Sequence, residues 1–414
     1  MRMQNWAGNY AFTAARLDRP SSIDELRRLI AASPRIRAVG TRHSFNGIAD
    51  TPGVMVDLSG IAPDIVIDRA RLTVTVGAGT SYSVLIDRLQ QEGLALHNLA
   101  SLPHISIAGA VATATHGSGD RNQTLASAVA GLELVASDGS VRHVVRGDPD
   151  FPAVVVGLGA FGIVSRVTLD VGPSFDIRQD SFVDMPWDDL LGNFDALTSA
   201  AYSVSIFTKW SAATAGRIWL KTRLDVPEPE IASLRLRPGP PYAVPATSPD
   251  PLARLNPFGV PGPWSERLAH SPPHLPPTPA EQIQSEYLIA RPRFAEAVAI
   301  IRAMADRVDP VLHVTEIRTM AADELWLSPA YRQDTIGIHF TWKFEAEAVA
   351  AVTRELEAAL IPLGAKPHWG KLIHADAAAL APLYPRIAEF RACARRYDPD
   401  GKFRNAFLDK HVFG

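Results

Sequence analysis

The 414-residue sequence predicts a mixed helix-and-strand fold built from more than one unit. Three observations carry this expectation. Residues up to about 173 alternate short strands with short helices. From about 174 the strands and helices lengthen. After Lys371 a compact helix-and-turn pattern returns.

Ser22-Ile23-Asp24-Glu25 is a capping box opening a helix whose apolar stripe is Ile23, Leu26, Leu29 and Ile30. A strand from Ile36 to Val39 feeds the turn Gly40-Thr41-Arg42-His43-Ser44-Phe45-Asn46. A period-two strand, Leu72 to Val76, ends at Gly77-Ala78-Gly79, and a helix from Tyr82 to Gln91 closes at Gly93. An irregular stretch of small residues covers 100–120. Strands return at 131–137 and 162–171, with a turn at Asp138-Gly139. Beyond 174, strands are expected at 202–210, 217–222, 285–290, 311–320 and 335–344, and helices at 293–308 and 345–360. Prolines crowd the stretch from Pro238 to Pro279, which excludes helix or central strand and suggests an extended excursion over a surface.

Composition excludes several classes of function. A net charge of -3 without a basic block argues against nucleic acid or an anionic membrane as partner. No apolar run approaches the ~18 residues of a membrane span. The N-terminus lacks the apolar core of a signal peptide, so a cytoplasmic protein is expected. Cys393 is the only cysteine, and it reads as a small core residue on a helix. The 12 histidines show no HExxH spacing, so no metal site is expected.

The turn at Thr41, Arg42, His43, Ser44 and Phe45 would aim backbone N–H groups at one point, as a pyrophosphate cradle does. His43 could then anchor whatever the phosphates carry; a solvated turn histidine is the plainer alternative. Gly157-Leu158-Gly159-Ala160-Phe161-Gly162 fits GxGxxG, but an alternating β-branched run, Ile163 to Leu169, follows where a dinucleotide fold needs a helix. A tight glycine turn passing a ligand fits better. Glu316 and Arg318 share one face of a strand, His339 and Thr341 one face of the next, and Lys371 follows Trp369 at the same parity. These strands would present a carboxylate, a guanidinium, an imidazole, a hydroxyl and an ammonium toward one side. An exposed ion pair between Glu316 and Arg318 is the alternative. Trp342 and Trp369 read as packing for the unit after 174.

These pieces, with 100–109, 113–119, 159–164, 367–371 and 398–405, resemble the alditol oxidases of the vanillyl-alcohol-oxidase flavoprotein superfamily. The resemblance implies an α+β fold: a two-subdomain FAD-binding domain (PCMH-type) plus a cap with a large antiparallel sheet. Residues 1–173 and 372–414 would form the FAD-binding domain, and 174–371 the cap. It implies FAD bound covalently through His43, with cofactor contacts from Thr41, Arg42, Ser44, Phe45, Ser101, Ser106, Gly109, Thr113, Ala114, Thr115, His116, Gly117 and Val164. Arg42 departs from the small residue usual in related turns. Arg318 and Lys371 are expected at the reacting hydroxyl, with Lys371 or His339 as proton acceptor. Ser101, Glu316 and Thr341 would hold the other hydroxyls.

The expected reaction is oxidation of a primary hydroxyl of a linear alditol, xylitol or sorbitol, with O2 reduced to hydrogen peroxide by a monomer. An aldonolactone oxidase or dehydrogenase is the nearest rival. A non-catalytic flavin- or sugar-binding protein is the rival of another class.

Overall fold

The computed structural model describes residues 3–239, 256–274 and 281–414. Its first sheet is parallel, ordered β1 (Arg16–Asp18), β3 (Val54–Asp57), β2 (Ile36–Val39). The helix α1 (Ile23–Ala32) packs on it through buried Leu26 and Ile30. Its start is capped as the sequence predicts, Ser22 accepting from the Glu25 amide.

The second sheet is antiparallel, ordered β4 (Val66–Asp68), β5 (Thr73–Gly77), β8 (Ile163–Asp170), β6 (Val129–Val135), β7 (Val141–Val145). Strict alternation in β8 buries Val167 and Leu169 against α2 (Tyr82–Gln91), where Leu85, Ile86 and Leu89 form the apolar stripe. The short helix α3 (Ile107–Ala112) carries the small-residue stretch. The run 154–156 begins inside a helical turn, Phe151–Val154, and is not a strand.

The third sheet has nine strands and is the largest. Its long members are β9 (Asp176–Pro186), β10 (Ser203–Thr208), β11 (Thr214–Arg223), β12 (Gln282–Ala290), β13 (Leu312–Met320) and β14 (Thr335–Lys343). They lie in the order β9–β11–β10–β13–β14–β12, all antiparallel. On one face, Ile317, Ile338 and Phe340 pack against α4 (Phe294–Ala303) and α5 (Ala346–Leu360). Alternation sends Glu316, Arg318 and His339 to the other face. Sequence reading overlooked β9, whose polar run Arg178-Gln179-Asp180-Ser181 hides its period.

The chain then returns to the first two sheets. In α6 (Ile387–Tyr397), Phe390 and Cys393 are fully buried in the core that includes Val74 and Leu132. Trp342 packs in the core of the large sheet, but Trp369 does not. Trp369 stacks on Tyr384 at 5.1 Å in the core of the second sheet, just after the chain leaves the large sheet at Lys366–Pro367. Within the proline-rich excursion, an edge strand at Gly262–Pro263 and a helical turn at Trp264–Arg267 are described. Residues 240–255 and 275–280 of that stretch lie outside the described residues.

Candidate functional site

A cavity of about 620 Å³ runs from the His43 turn, past α3 and the glycine turn at 157–159, to the polar face of the large sheet. That volume is typical of a cofactor or substrate site. Its lining includes Thr41, Arg42, His43, Ser44, Phe45, Ser101, Ser106, Gly109, Thr113, Thr115, His116 and Val164 from the first part of the chain. Glu316, Arg318, His339, Thr341 and Lys371 line its other end.

Two expected cofactor residues lie behind the wall. Ala114, in a left-handed conformation (φ 53°), is fully buried in the core. Gly117 packs so close to Asn98 that a Cβ would fall 2.3 Å from its side-chain oxygen. They let the wall come near a ligand without facing it.

His43 is held from two sides. Its Nδ1 lies 3.0 Å from Thr41 Oγ1, and its ring stacks on Trp6 at 4.9 Å. Thr41 Oγ1 also accepts from the Ser106 amide at 3.1 Å. Burial lowers the imidazole to about 4, so it is neutral, and Nε2 is buried with no hydrogen-bond partner among the described residues. A neutral imidazole with a free nitrogen is what a bond to a cofactor carbon requires. The turn is locked to the far end of the chain, Phe45 N donating to Gly370 O at 2.8 Å. Asn46 Nδ2 donates to the carbonyls of Trp369 and Lys371 at 2.8 and 2.7 Å.

Lys371 sits in a turn, its amide bonded to His368 O, and not on a third strand as its parity with Trp369 suggested. The third strand is β12, and it brings Glu286, which sequence reading missed. Glu286 Oε2 accepts from Lys371 Nζ at 2.6 Å, and Oε1 accepts from Arg318 Nη2 at 3.0 Å. His116 Nε2 stands 3.2 Å from Oε1. The signal was available: a carboxylate inside a strand otherwise buried on both faces needs partners. Burial alone would raise the Glu286 carboxyl, but Lys371, His116 and Arg318 outweigh it and hold it well below the ordinary value.

The same network sets the other groups. Burial lowers Lys371 to about 8, with Glu286 pulling back towards the charged form. Burial, then the Lys371 charge, lowers His339 to about 4; its Nδ1 meets Lys371 Nζ and its Nε2 lies 3.2 Å from Thr341 Oγ1. Burial opposes ionisation of Glu316, yet Arg318 holds it down to about 2. Glu316 Oε1 lies 3.3 Å from His270 Nε2 and 3.8 Å from Arg318 Nε, neither aligned as a hydrogen bond. Glu316 Oε1 and Arg318 Nε are thus buried without a hydrogen-bond partner among the described residues. Arg318 Nη1 also reaches Ser101 Oγ at 3.5 Å.

His116, Glu286 and His368 offer three metal-ligand atoms within 4.8 Å of one another. Arg318 and Lys371 already neutralise the one carboxylate, so a divalent ion there would face two cations. The trio reads as part of the ion-pair network.

The sequence comparisons fit this geometry. A family described as FAD binding domain matches residues 14–144, and one described as D-arabinono-1,4-lactone oxidase matches 277–411. An alditol oxidase from Streptomyces sp. is 43% identical, over 98% of this chain and 97% of that protein. An L-gulono-1,4-lactone dehydrogenase from Mycobacterium tuberculosis is 32% identical, over 99% and 98%. Cholesterol oxidase from Brevibacterium sterolicum shares the fold, with TM-score 0.81 at 17% identity over 99% of this chain and 96% of that one. The small-residue wall, the glycine turn and the open His43 nitrogen suit FAD. The chain therefore belongs to the alditol oxidase family of the vanillyl-alcohol-oxidase flavoproteins, as an FAD-dependent oxidoreductase that uses oxygen.

Proposed function

We propose that the protein oxidises a primary hydroxyl of a linear alditol such as xylitol or sorbitol, producing an aldehyde and hydrogen peroxide, with FAD held covalently through His43. The observation that carries this reading is a row of polar side chains on neighbouring strands. Glu286, His339 and Glu316 lie directly opposite one another across β12, β14 and β13, with Thr341 and Arg318 on the same face. At ~4.8 Å per strand the row suits an extended chain bearing several hydroxyls.

When bound, FAD supplies the hydride acceptor and passes the electrons to O2. The protein's residues do the rest. Arg318, a permanent cation fixed by Glu286, stabilises the alkoxide that develops at the reacting hydroxyl. Lys371, lowered to about 8, is the group nearest neutrality and accepts the hydroxyl proton in its amine form. His339 stays neutral and orients Lys371. Glu316, Ser101 and Thr341 bind the remaining hydroxyls.

A second reading, an aldonolactone oxidase or dehydrogenase, is favoured by the lactone-oxidase match over 277–411. A lactone offers fewer hydroxyl donors and would leave Glu316 partly unpaired, which is costly in a buried site. Peroxide release measured across alditols and aldonolactones decides between them. Faster turnover with a lactone than with every alditol would overturn the alditol reading.

A further inference from the structure

Beyond Glu316 the polar row ends on Phe207, directly opposite it on β10. Here the cavity wall is Phe207, Trp219 and His270. His270 does not come from the sheet. It enters on the proline-rich excursion and packs edge-on against Trp219 at 5.1 Å and Phe207 at 6.0 Å. Its amide donates to Ser101 O at 3.2 Å, so it spans the gap between the cofactor loop and the sheet.

The two residues before His270 are held by a lysine outside the cavity lining. Lys221 on β11 is 2% exposed, and its Nζ donates to Leu268 O at 2.5 Å and Ala269 O at 2.8 Å. Asn256 Nδ2 donates to the Ala269 carbonyl as well. A buried ammonium that meets two carbonyls and no carboxylate is expensive. A leucine or methionine would fill the same strand position at less cost. What the Lys221 side chain does here, together with Asn256, is fix two successive carbonyls, and with them the next residue.

We propose that Lys221 is a positioning residue for the turn 268–270, and that His270, so placed, is the end wall that limits how long a chain the cavity accepts. The proposal rests on the reading of the cavity as a polyol site. Beside it, Glu316 Oε1 (3.3 Å from His270 Nε2) and Arg318 Nε are buried without a hydrogen-bond partner among the described residues.

The test measures kcat and KM of the FAD-loaded enzyme on linear alditols of about four to seven carbons. If the parent oxidises only aldonolactones, five- and six-carbon lactones replace them. His270→Ala should raise the kcat/KM ratio of the longest to the five-carbon substrate about tenfold, chiefly through KM, the scale of a hydrophobic-pocket difference. Lys221→Met should move the ratio the same way, and the double variant should add little, since both act on one contact. His270→Phe, which fills the wall, should move it the opposite way and keeps the test open if truncation loses the flavin. Ratios within twofold of the parent in variants that keep their flavin would overturn the proposal, as would a Lys221→Met variant that lowers only the melting temperature. A parent inactive on every alditol would instead overturn the polyol reading, leaving the end wall to be judged on lactones.

Discussion

Lys371 Nζ and Glu286 Oε2 meet at 2.6 Å, and the fully buried Glu286 is also the partner of Arg318. One carboxylate therefore holds both cations of the proposed reaction centre. Glu286→Gln should leave them facing each other uncompensated. Breaking a buried ion pair from one side costs about 3–5 kcal/mol. The variant should melt well below the parent, and its pH–rate profile should shift to lower pH because Lys371 loses the charge that raises it. A variant with unchanged melting temperature and profile would show that Glu286 is not their common counter-ion.

Arg318 should matter to the chemical step more than to FAD binding. Loss of one preorganised donor to a developing oxyanion typically costs ~10²–10³-fold in rate. Arg318→Ala, followed by stopped-flow bleaching of the flavin with xylitol, should show a loss of that order while the visible spectrum before mixing is kept. Turnover within a few-fold of the parent would remove Arg318 from the reacting centre.

His43→Ala should release the cofactor. Acid precipitation of the parent should give a yellow pellet, and of the variant a colourless one. Flavin found wholly in the parent's supernatant would end the covalent assignment.

Activity and stability should respond to pH at different groups. With Lys371 at about 8 as proton acceptor, kcat/KM should rise with pH up to about 8. A flat profile from pH 6 to 9 would place the acceptor elsewhere. Stability responds at lower pH to His270, His339 and His374, lowered to about 3, 4 and 4. Between those values and the ordinary 6.5 the unfolded chain binds more protons, so stability is full above about 6.5 and is lost as pH falls. Glu357, raised to about 7, works in the opposite sense between 4.5 and 7. Melting temperatures should therefore fall from pH 6.5 towards 4; a rise over that range would contradict the neutral state of the three histidines.

What the sequence makes legible follows from local periodicity. Glu316 and Arg318 flank Ile317, and His339 and Thr341 alternate with Ile338, Phe340 and Trp342, so each pair's shared face can be read directly. The His43 turn is legible because the residues that form it are contiguous. Glu286 is hidden because β12 is buried on both faces and its neighbours Leu288, Ile289 and Tyr287 give no alternation. Lys371 shows the opposite failure: its parity with Trp369 mimics a strand where the chain in fact turns. His270 and Lys221 are brought together by the route of a proline-rich stretch, and no local pattern encodes a route.

The buried Arg37 guanidinium joins pieces of chain far apart in order of synthesis. Its Nη2 donates to Ile48 O at 2.7 Å and Leu158 O at 2.8 Å, and its Nη1 donates to Phe403 O. Asn405 then ties down the carbonyls of Gly47, Ile48 and Asp50. The floor under the His43 turn is thus closed by residues very far from it along the chain. A chain that stops before Phe403 lacks that floor, however much of the large sheet has folded. Truncation there should cost flavin binding as surely as His43→Ala costs the proposed covalent bond.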